Sequence, residues 1–164
     1  MFRGLSISIV LLLAVVPLVH ADENALDRER KALQGVWIVD AAYRDGEKVA
    51  DNERMNGAVL HAIQVKDDRF SIAFEKKGDE FRFSDDSFSF SLDVSVTPKI
   101  IEFDASPNDK FYCIYLIKDG QLTLAFNYAD GPLGSATKDR AKLPKKLETK
   151  RGDGTYIFVL KKSK

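Results

Sequence analysis

The sequence is poor in the residues that cross-link small proteins or bind metals. It contains one cysteine, Cys113, and two histidines, His20 and His61. One cysteine cannot form an intrachain disulfide, so stability must come from packing of an apolar core. Cys113 lies in an apolar run and is expected to be a buried thiol. A zinc site needs three or four protein ligands that normally include Cys or His. We therefore expect neither a metal nor a cofactor.

The motifs of common catalytic sites are also missing. There is no G-x-S-x-G nucleophile motif, no phosphate-binding glycine loop and no alternating calcium loop. The acidic pairs Asp67-Asp68 and Asp85-Asp86 are explained more simply as turns. Asp93 and Glu102 are the best remaining acid–base candidates, and both lie on strands with polar or mixed faces. We therefore expect a protein that is not an enzyme and has no catalytic residues.

Long apolar runs are confined to the N-terminus. Arg3 precedes an almost unbroken apolar stretch from Leu5 to Val16, and Val19-His20-Ala21 forms an A-x-A-like site after Pro17. This pattern predicts a secretory signal peptide over residues 1–21 and one mature domain over 22–164, secreted or periplasmic. An uncleaved anchor is the alternative, but the run is short for a membrane span. No span is expected after cleavage.

Charge is balanced overall but uneven along the chain. Residues 138–164 hold ten Lys or Arg against three Asp or Glu, whereas the chain as a whole has 25 of each class. A basic stretch could bind anionic glycans, lipid headgroups or nucleic acid. Because no aromatic residue is interleaved before the closing strand, we favour a solvated loop and expect no nucleic-acid partner.

The mature chain changes from helical to strand periodicity near its start. Residues 22–34 predict a short helix that ends at Gly35. The clearest strand is Ser87–Val96, where apolar residues alternate with serines. Asp119-Gly120 predicts a type I′ hairpin. Further strands are predicted at Gly35–Tyr43, Ala58–Lys66, Arg69–Glu75, Ile100–Asp104, Lys110–Lys118, Gln121–Asn127 and Thr155–Lys161, and Phe81 and Phe83 continue the pattern. About nine short strands favour a sandwich or barrel.

Two segments do not fit strands. Residues 50–57 suit a loop or helical turn. Residues 128–153 form a long polar connection with few apolar anchors, so we expect it to be the least ordered part of the mature domain.

Gly35-Val36-Trp37 stands where the helix meets the first strand. It resembles the G-x-W signature of lipocalins and related calycin barrels. This resemblance implies an all-β, lipocalin-like antiparallel up-and-down barrel with a short N-terminal helix. Gly35 would let the chain turn in, and Trp37 would plug one end. Lys161 or Lys162 would cover the indole ring by a cation–π contact.

A closer resemblance spans nearly the whole mature chain. It is to the planctomycete-type lipocalin-like domain of exported bacterial proteins, which brings no established activity. The matching segments are Leu33–Trp37, Asp45-Gly46, Leu92-Asp93, Thr97–Lys99, Ile114-Tyr115, Asp119–Leu124 and Pro144–Lys146. The family usually has Arg before the late proline and Phe three residues after it. This chain has Leu143 and Leu147 there, which argues against a polar role for the segment.

The many phenylalanines either fill the barrel or line an apolar cavity, as eight-stranded barrels allow. We lean towards a filled barrel. The residues suggested for ligand contact are His61, Phe70, Phe88, Phe90, Tyr115 and Phe126. The leading hypothesis is a non-enzymatic exported domain that binds a small apolar or amphipathic ligand in the barrel. The alternative is a cell-envelope protein-interaction module with a filled barrel.

Overall fold

A computed structural model describes residues 19–49, 59–106, 109–127 and 138–163. The predicted signal segment up to residue 18, the predicted loop 50–57 and the first part of the 128–153 connection lie outside the described residues. The described chain contains one α-helix, α1 at Val19–Leu33, and nine strands. The strands are β1 Gly35–Arg44, β2 Glu47–Lys48, β3 Ala62–Lys66, β4 Arg69–Lys77, β5 Glu80–Asp93, β6 Lys99–Ser106, β7 Asp109–Lys118, β8 Gln121–Asn127 and β9 Thr155–Lys162.

The sheet closes on itself. From β3 to β9 each strand pairs antiparallel with its neighbours in chain order, and β1 pairs with both β3 and β9. The two-residue β2 pairs only with the end of β1. The predicted lipocalin-like up-and-down barrel with a short N-terminal helix is therefore confirmed. We call the end where α1 meets the start of β1 the floor, and the opposite end the mouth.

The inner face of the barrel is packed with apolar side chains. One continuous cluster runs from Leu33 and Trp37 at the floor, through Phe70 and Tyr115, to Phe158 on β9. It follows from the period-2 pattern, because alternate residues of a strand point to the same face. Burying this surface supplies the main driving force for folding in a chain without disulfides.

A second apolar cluster lies on the outer wall. Ile100, Ile114, Ala125 and Ile157 are buried there, on four neighbouring strands. Residues 138–154, which we call the strap, cover them with the side chains of Leu143 and Leu147. The strap explains why β7 to β9 are apolar on both faces.

Polar contacts attach the strap to the barrel at several points. Arg140 forms an ion pair with Asp93 on β5, and the amide of Asn127 donates to the carbonyl of Lys142. Together with the two leucines, these contacts anchor residues 138–154 to the barrel, while the prediction that residues 128–153 are the least ordered part of the domain stays a prediction.

Three boundaries differ from the sequence prediction. Helix α1 already includes Val19 and reaches Leu33. Asp85-Asp86 is not a turn but lies within β5, where the register against β4 shifts and a bulge absorbs the extra residues. Val96, predicted to point inward, follows the end of β5 and is exposed. The predicted type I′ turn is confirmed, because Asp119 and Gly120 have φ of 52° and 74°.

Candidate functional site

The floor is closed by Trp37 and its neighbours. The indole is 1% exposed, and its Nε1 donates to the Leu33 carbonyl at 2.7 Å. Lys162 Nζ lies 5.2 Å from the ring centroid and donates to the Ala32 carbonyl at 3.1 Å. Gly35 has φ +113°, and a Cβ there would lie 3.2 Å from Lys162 Cε. The predicted plug and its cation–π cover are confirmed, with Lys162 as the cation.

Polar contacts fasten α1 to this end of the barrel. Glu29 forms an ion pair with Lys99 at the start of β6. The Gln34 amide donates to the Asp67 carbonyl at 3.0 Å, and its oxygen accepts from the Asp67 N–H at 2.8 Å. Beneath the helix, Glu29 Oε2 and the Tyr115 hydroxyl are buried and have no hydrogen-bond partner in the part of the chain that the structure describes. Burial and the Glu29 carboxylate raise the pKa of Tyr115 well above its ordinary value. These contacts hold the helix across the floor and close this end of the barrel.

The mouth contains a cavity of about 310 Å³, which we call the mouth cavity. It forms because β1 pairs with β3 only from Gly35 to Ile38, and its register against β9 shifts between Val39 and Ala41. Beyond that point the second half of β1, residues 59–61 and the β4–β5 hairpin surround an open space. The apolar lining comprises Ile38, Val39, Ala41, Ala42, Val49, Val59, Leu60, Phe81 and Phe158, and Tyr156 adds an aromatic ring with a hydroxyl group.

Three polar side chains also line the mouth cavity: Asp40, His61 and Lys76. Asp40 is neutralised by Lys161, whose Nζ lies 2.8 Å from its Oδ1. His61 is half-buried, and its side chain makes no hydrogen bond within the described part of the chain. Lys76 forms no ion pair with any described residue, and its Nζ lies 5.4 Å from the Phe81 ring centroid. The cavity is therefore apolar with an excess of positive charge.

The residues suggested from sequence for ligand contact lie in two places. His61 lines the mouth cavity. Phe70, Phe90, Tyr115 and Phe126 belong to the packed interior instead. Half-buried Phe88 pairs with Phe70 across β4 and β5.

Sequence reasoning did not select the other cavity residues. Phe81 was identified only as an inward strand residue, and Tyr156 and Phe158 only as part of the closing strand. Tyr156 stacks on Phe126, with ring centroids 5.8 Å apart, so Phe126 lies behind the cavity wall. Nothing in the local pattern marks Lys76, because its role depends on where the hairpin lies in the fold.

The other titratable residues considered for catalysis are either buried or paired with neighbouring side chains. Burial raises the pKa of the Cys113 thiol to about 12, which keeps it protonated and unreactive. Glu102 forms an ion pair with Lys110, and Asp93 accepts from Ser95 and Arg140. Within residues 19–49, 59–106, 109–127 and 138–163, no three His, Cys, Asp or Glu side chains are grouped as metal ligands would be.

Among the described helices, none has the length and apolar character needed to cross a membrane.

The chain matches no protein-family model, no curated protein and no solved structure in comparisons with each. The mouth cavity is therefore interpreted from its own geometry.

Proposed function

We propose that the chain is an exported, non-enzymatic domain that binds a small apolar or amphipathic molecule in the mouth cavity of its barrel. The observation that carries the proposal is the cavity itself. Its volume of about 310 Å³ lies at the lower end of ligand pockets, which span roughly 300–1,000 Å³. Its lining is mainly apolar with a few polar groups, which is the usual composition of such pockets.

The cavity is bounded by a layer of aromatic rings. Tyr156 and Phe158 form part of its wall, with ring centroids 5.0 Å apart, and Phe126 packs behind them. Below this layer the interior is packed side chain against side chain. A bound molecule would therefore remain at the mouth, which favours a short ligand over a long chain threaded down the barrel axis.

Matched alanine-to-phenylalanine substitutions test the proposal. Ala42 lines the mouth cavity, whereas Ala141 is exposed on the strap. In calorimetric titrations with 1-octanol, we expect Ala42→Phe to weaken binding at least about tenfold, or 1.4 kcal/mol. Ala141→Phe should bind like the wild type. Equal binding by both variants, with circular dichroism showing both folded, would contradict the proposal that the ligand binds in the mouth cavity.

Export is proposed from the sequence pattern at the N-terminus, and membership of the planctomycete-type lipocalin-like family from the segments named above. Expression of the full chain in a bacterium with a periplasm tests the first point. We expect the recovered protein to begin at Asp22 when its intact mass is measured. Recovery of the uncleaved chain in the membrane fraction would favour the anchor alternative.

The packed interior and one surface feature support a second candidate, a cell-envelope protein-interaction module. Leu116 is 43% exposed beside an outer groove near the floor, together with Lys118 and Thr123. An exposed apolar side chain of this kind is common on protein surfaces. Mouth-cavity binding is therefore the better supported function, and absence of any amphiphile binding would favour the interaction module.

A further inference from the structure

The electrostatics of the mouth cavity indicate which kind of polar head its ligand carries. Of its two charged lining residues, Asp40 is matched by Lys161 at 2.8 Å. Lys76 has no carboxylate partner among the described residues. His61 also lines the cavity, and an imidazole carries no negative charge. A negatively charged group entering the cavity would thus meet an ammonium that no carboxylate of a described residue neutralises.

We infer that the mouth cavity selects amphiphiles with an anionic head, specifically short aliphatic monocarboxylates, and that Lys76 pairs with the carboxylate. This inference rests on the proposed function and specifies its ligand. The alkyl chain would lie against the aromatic and aliphatic lining, which includes Phe81 and Phe158. The carboxylate would remain at the rim, where solvent still reaches the head group and the desolvation cost stays small.

The β4–β5 hairpin holds Lys76 in a position to do this. Lys76 and Phe81 are directly opposite each other in the antiparallel register, so their side chains share one face of the hairpin. The ammonium lies 5.4 Å from the ring centroid, and an exposed cation–π contact of this kind is worth about 0.5–1 kcal/mol. This contact biases a flexible lysine towards the cavity rim.

The next residue provides a matched control. Lys77 pairs with Glu80 in the hairpin register and does not line the mouth cavity. Successive residues of a strand point to opposite faces, so Lys77 has the same charge in nearly the same place but faces away. Each substitution, Lys76→Gln or Lys77→Gln, removes one positive charge. A direct contact between Lys76 and the carboxylate would be lost only in Lys76→Gln, whereas a long-range electrostatic attraction would weaken equally in both variants.

The test uses three probes of equal chain length: octanoate, 1-octanol and octyltrimethylammonium. In titrations at about pH 7, where an alkyl carboxylate is ionised, we expect octanoate to bind roughly tenfold more tightly than octanol. Octyltrimethylammonium should bind most weakly. Lys76→Gln should remove most of the octanoate advantage while octanol affinity changes less than about twofold. Lys77→Gln should leave the advantage in place.

The outcomes separate this inference from the proposed function. Equal binding of all three probes would overturn the anionic selectivity and leave mouth-cavity binding intact. Binding of none of them would overturn both. An octanoate advantage that survives in Lys76→Gln would overturn the assignment of Lys76. Because Lys76 is exposed, its variant should fold, and thermal unfolding of each variant checks this.

Discussion

Each end of the barrel places a lysine over an aromatic ring, but the two lysines differ in what else they contact. At the floor, the Trp37 indole donates a hydrogen bond to a backbone carbonyl. The Lys162 ammonium lies over the Trp37 ring and also donates to a backbone carbonyl. At the mouth, the contact that the Lys76 ammonium makes within the described chain is with the Phe81 ring. The His61 side chain makes no hydrogen bond with any described residue. A lysine already bonded to a backbone carbonyl is less available to a ligand, so this difference supports the binding proposed at the mouth.

The pairing of β1 accounts for much of this difference. Near Trp37, β1 is hydrogen-bonded to β3 on one side and to β9 on the other. Near Asp40 the register against β9 shifts, and the pairing with β3 has ended at Ile38. Bulges bend a strand and are often found at barrel rims and next to functional sites. One irregularity in one strand therefore helps to open the mouth cavity without disturbing the floor.

Truncation of the central aromatic residue at each end should show the contrast most clearly. We expect Trp37→Ala to lower the free energy of unfolding by about 3–5 kcal/mol, since it removes a buried ring and its hydrogen bond. Phe81→Ala at the mouth should cost less, about 1–2 kcal/mol, because that ring is only half-buried. Urea unfolding followed by circular dichroism measures both. A larger cost for Phe81→Ala would reverse the assignment of the two ends.

Glycines with positive φ provide a second comparison. Gly35 at the floor has φ +113° and little room for a Cβ, whereas Gly78 in the β4–β5 turn has φ +60° and nothing within 4 Å. We expect Gly35→Ala to cost about 2–3 kcal/mol and Gly78→Ala about 1 kcal/mol. Chemical denaturation gives both values. Similar costs would show that the backbone at Gly35 and the Lys162 side chain both adjust with little loss, so the floor would be less tightly packed than the contacts indicate.

The floor was predictable from sequence because its residues lie in local motifs. The G-x-W motif identifies Gly35 and Trp37, and a lysine near the end of the last strand was expected from the same resemblance. Strand positions followed from alternation, and Asp119-Gly120 from the φ preferences of the turn. In each case a few neighbouring residues carry the signal.

The mouth cavity and the strap were not predictable in the same way. The cavity depends on a shift between strands that no single segment reveals, and Lys76 enters it only because the β4–β5 hairpin extends to the rim. The sequence indicates that β7 to β9 are apolar on both faces, but not that Leu143 and Leu147 would cover the outer wall. These are contacts between distant parts of the chain, for which periodicity carries no information.

Acid should weaken the barrel through Asp93, where β5 reaches the floor end. The Ser95 hydroxyl and the Arg140 guanidinium donate to this carboxylate and lower its pKa. A carboxyl group with a lowered pKa stabilises the fold above its ordinary pKa and loses that contribution as pH falls through the lowered value. We therefore expect the wild type to lose stability between about pH 4 and pH 2 more steeply than Asp93→Asn. At neutral pH the variant should be less stable by no more than about 1 kcal/mol.

Urea midpoints at several pH values measure this difference. Asp79→Asn in the β4–β5 turn at the mouth serves as a control, since Asp79 is exposed and forms no ion pair with described residues. Parallel acid profiles for the wild type and Asp93→Asn would show that the Asp93 contacts do not hold the strap in solution.

The smallest effect is expected at a buried hydroxyl group of the floor. The Tyr115 hydroxyl is buried and has no hydrogen-bond partner among the described residues, although the Glu29 carboxylate contributes to its raised pKa. Removing an unsatisfied buried hydroxyl relieves a desolvation cost, so Tyr115→Phe should leave the free energy of unfolding within about 0.5 kcal/mol of the wild type or raise it. Tyr115→Leu, which also removes ring volume, should be clearly destabilising. A loss above about 1 kcal/mol in Tyr115→Phe would mean that the hydroxyl donates to Glu29 in solution. The floor would then be fastened by a Tyr115–Glu29–Lys99 network, and the contrast with Lys76 at the mouth would be sharper still.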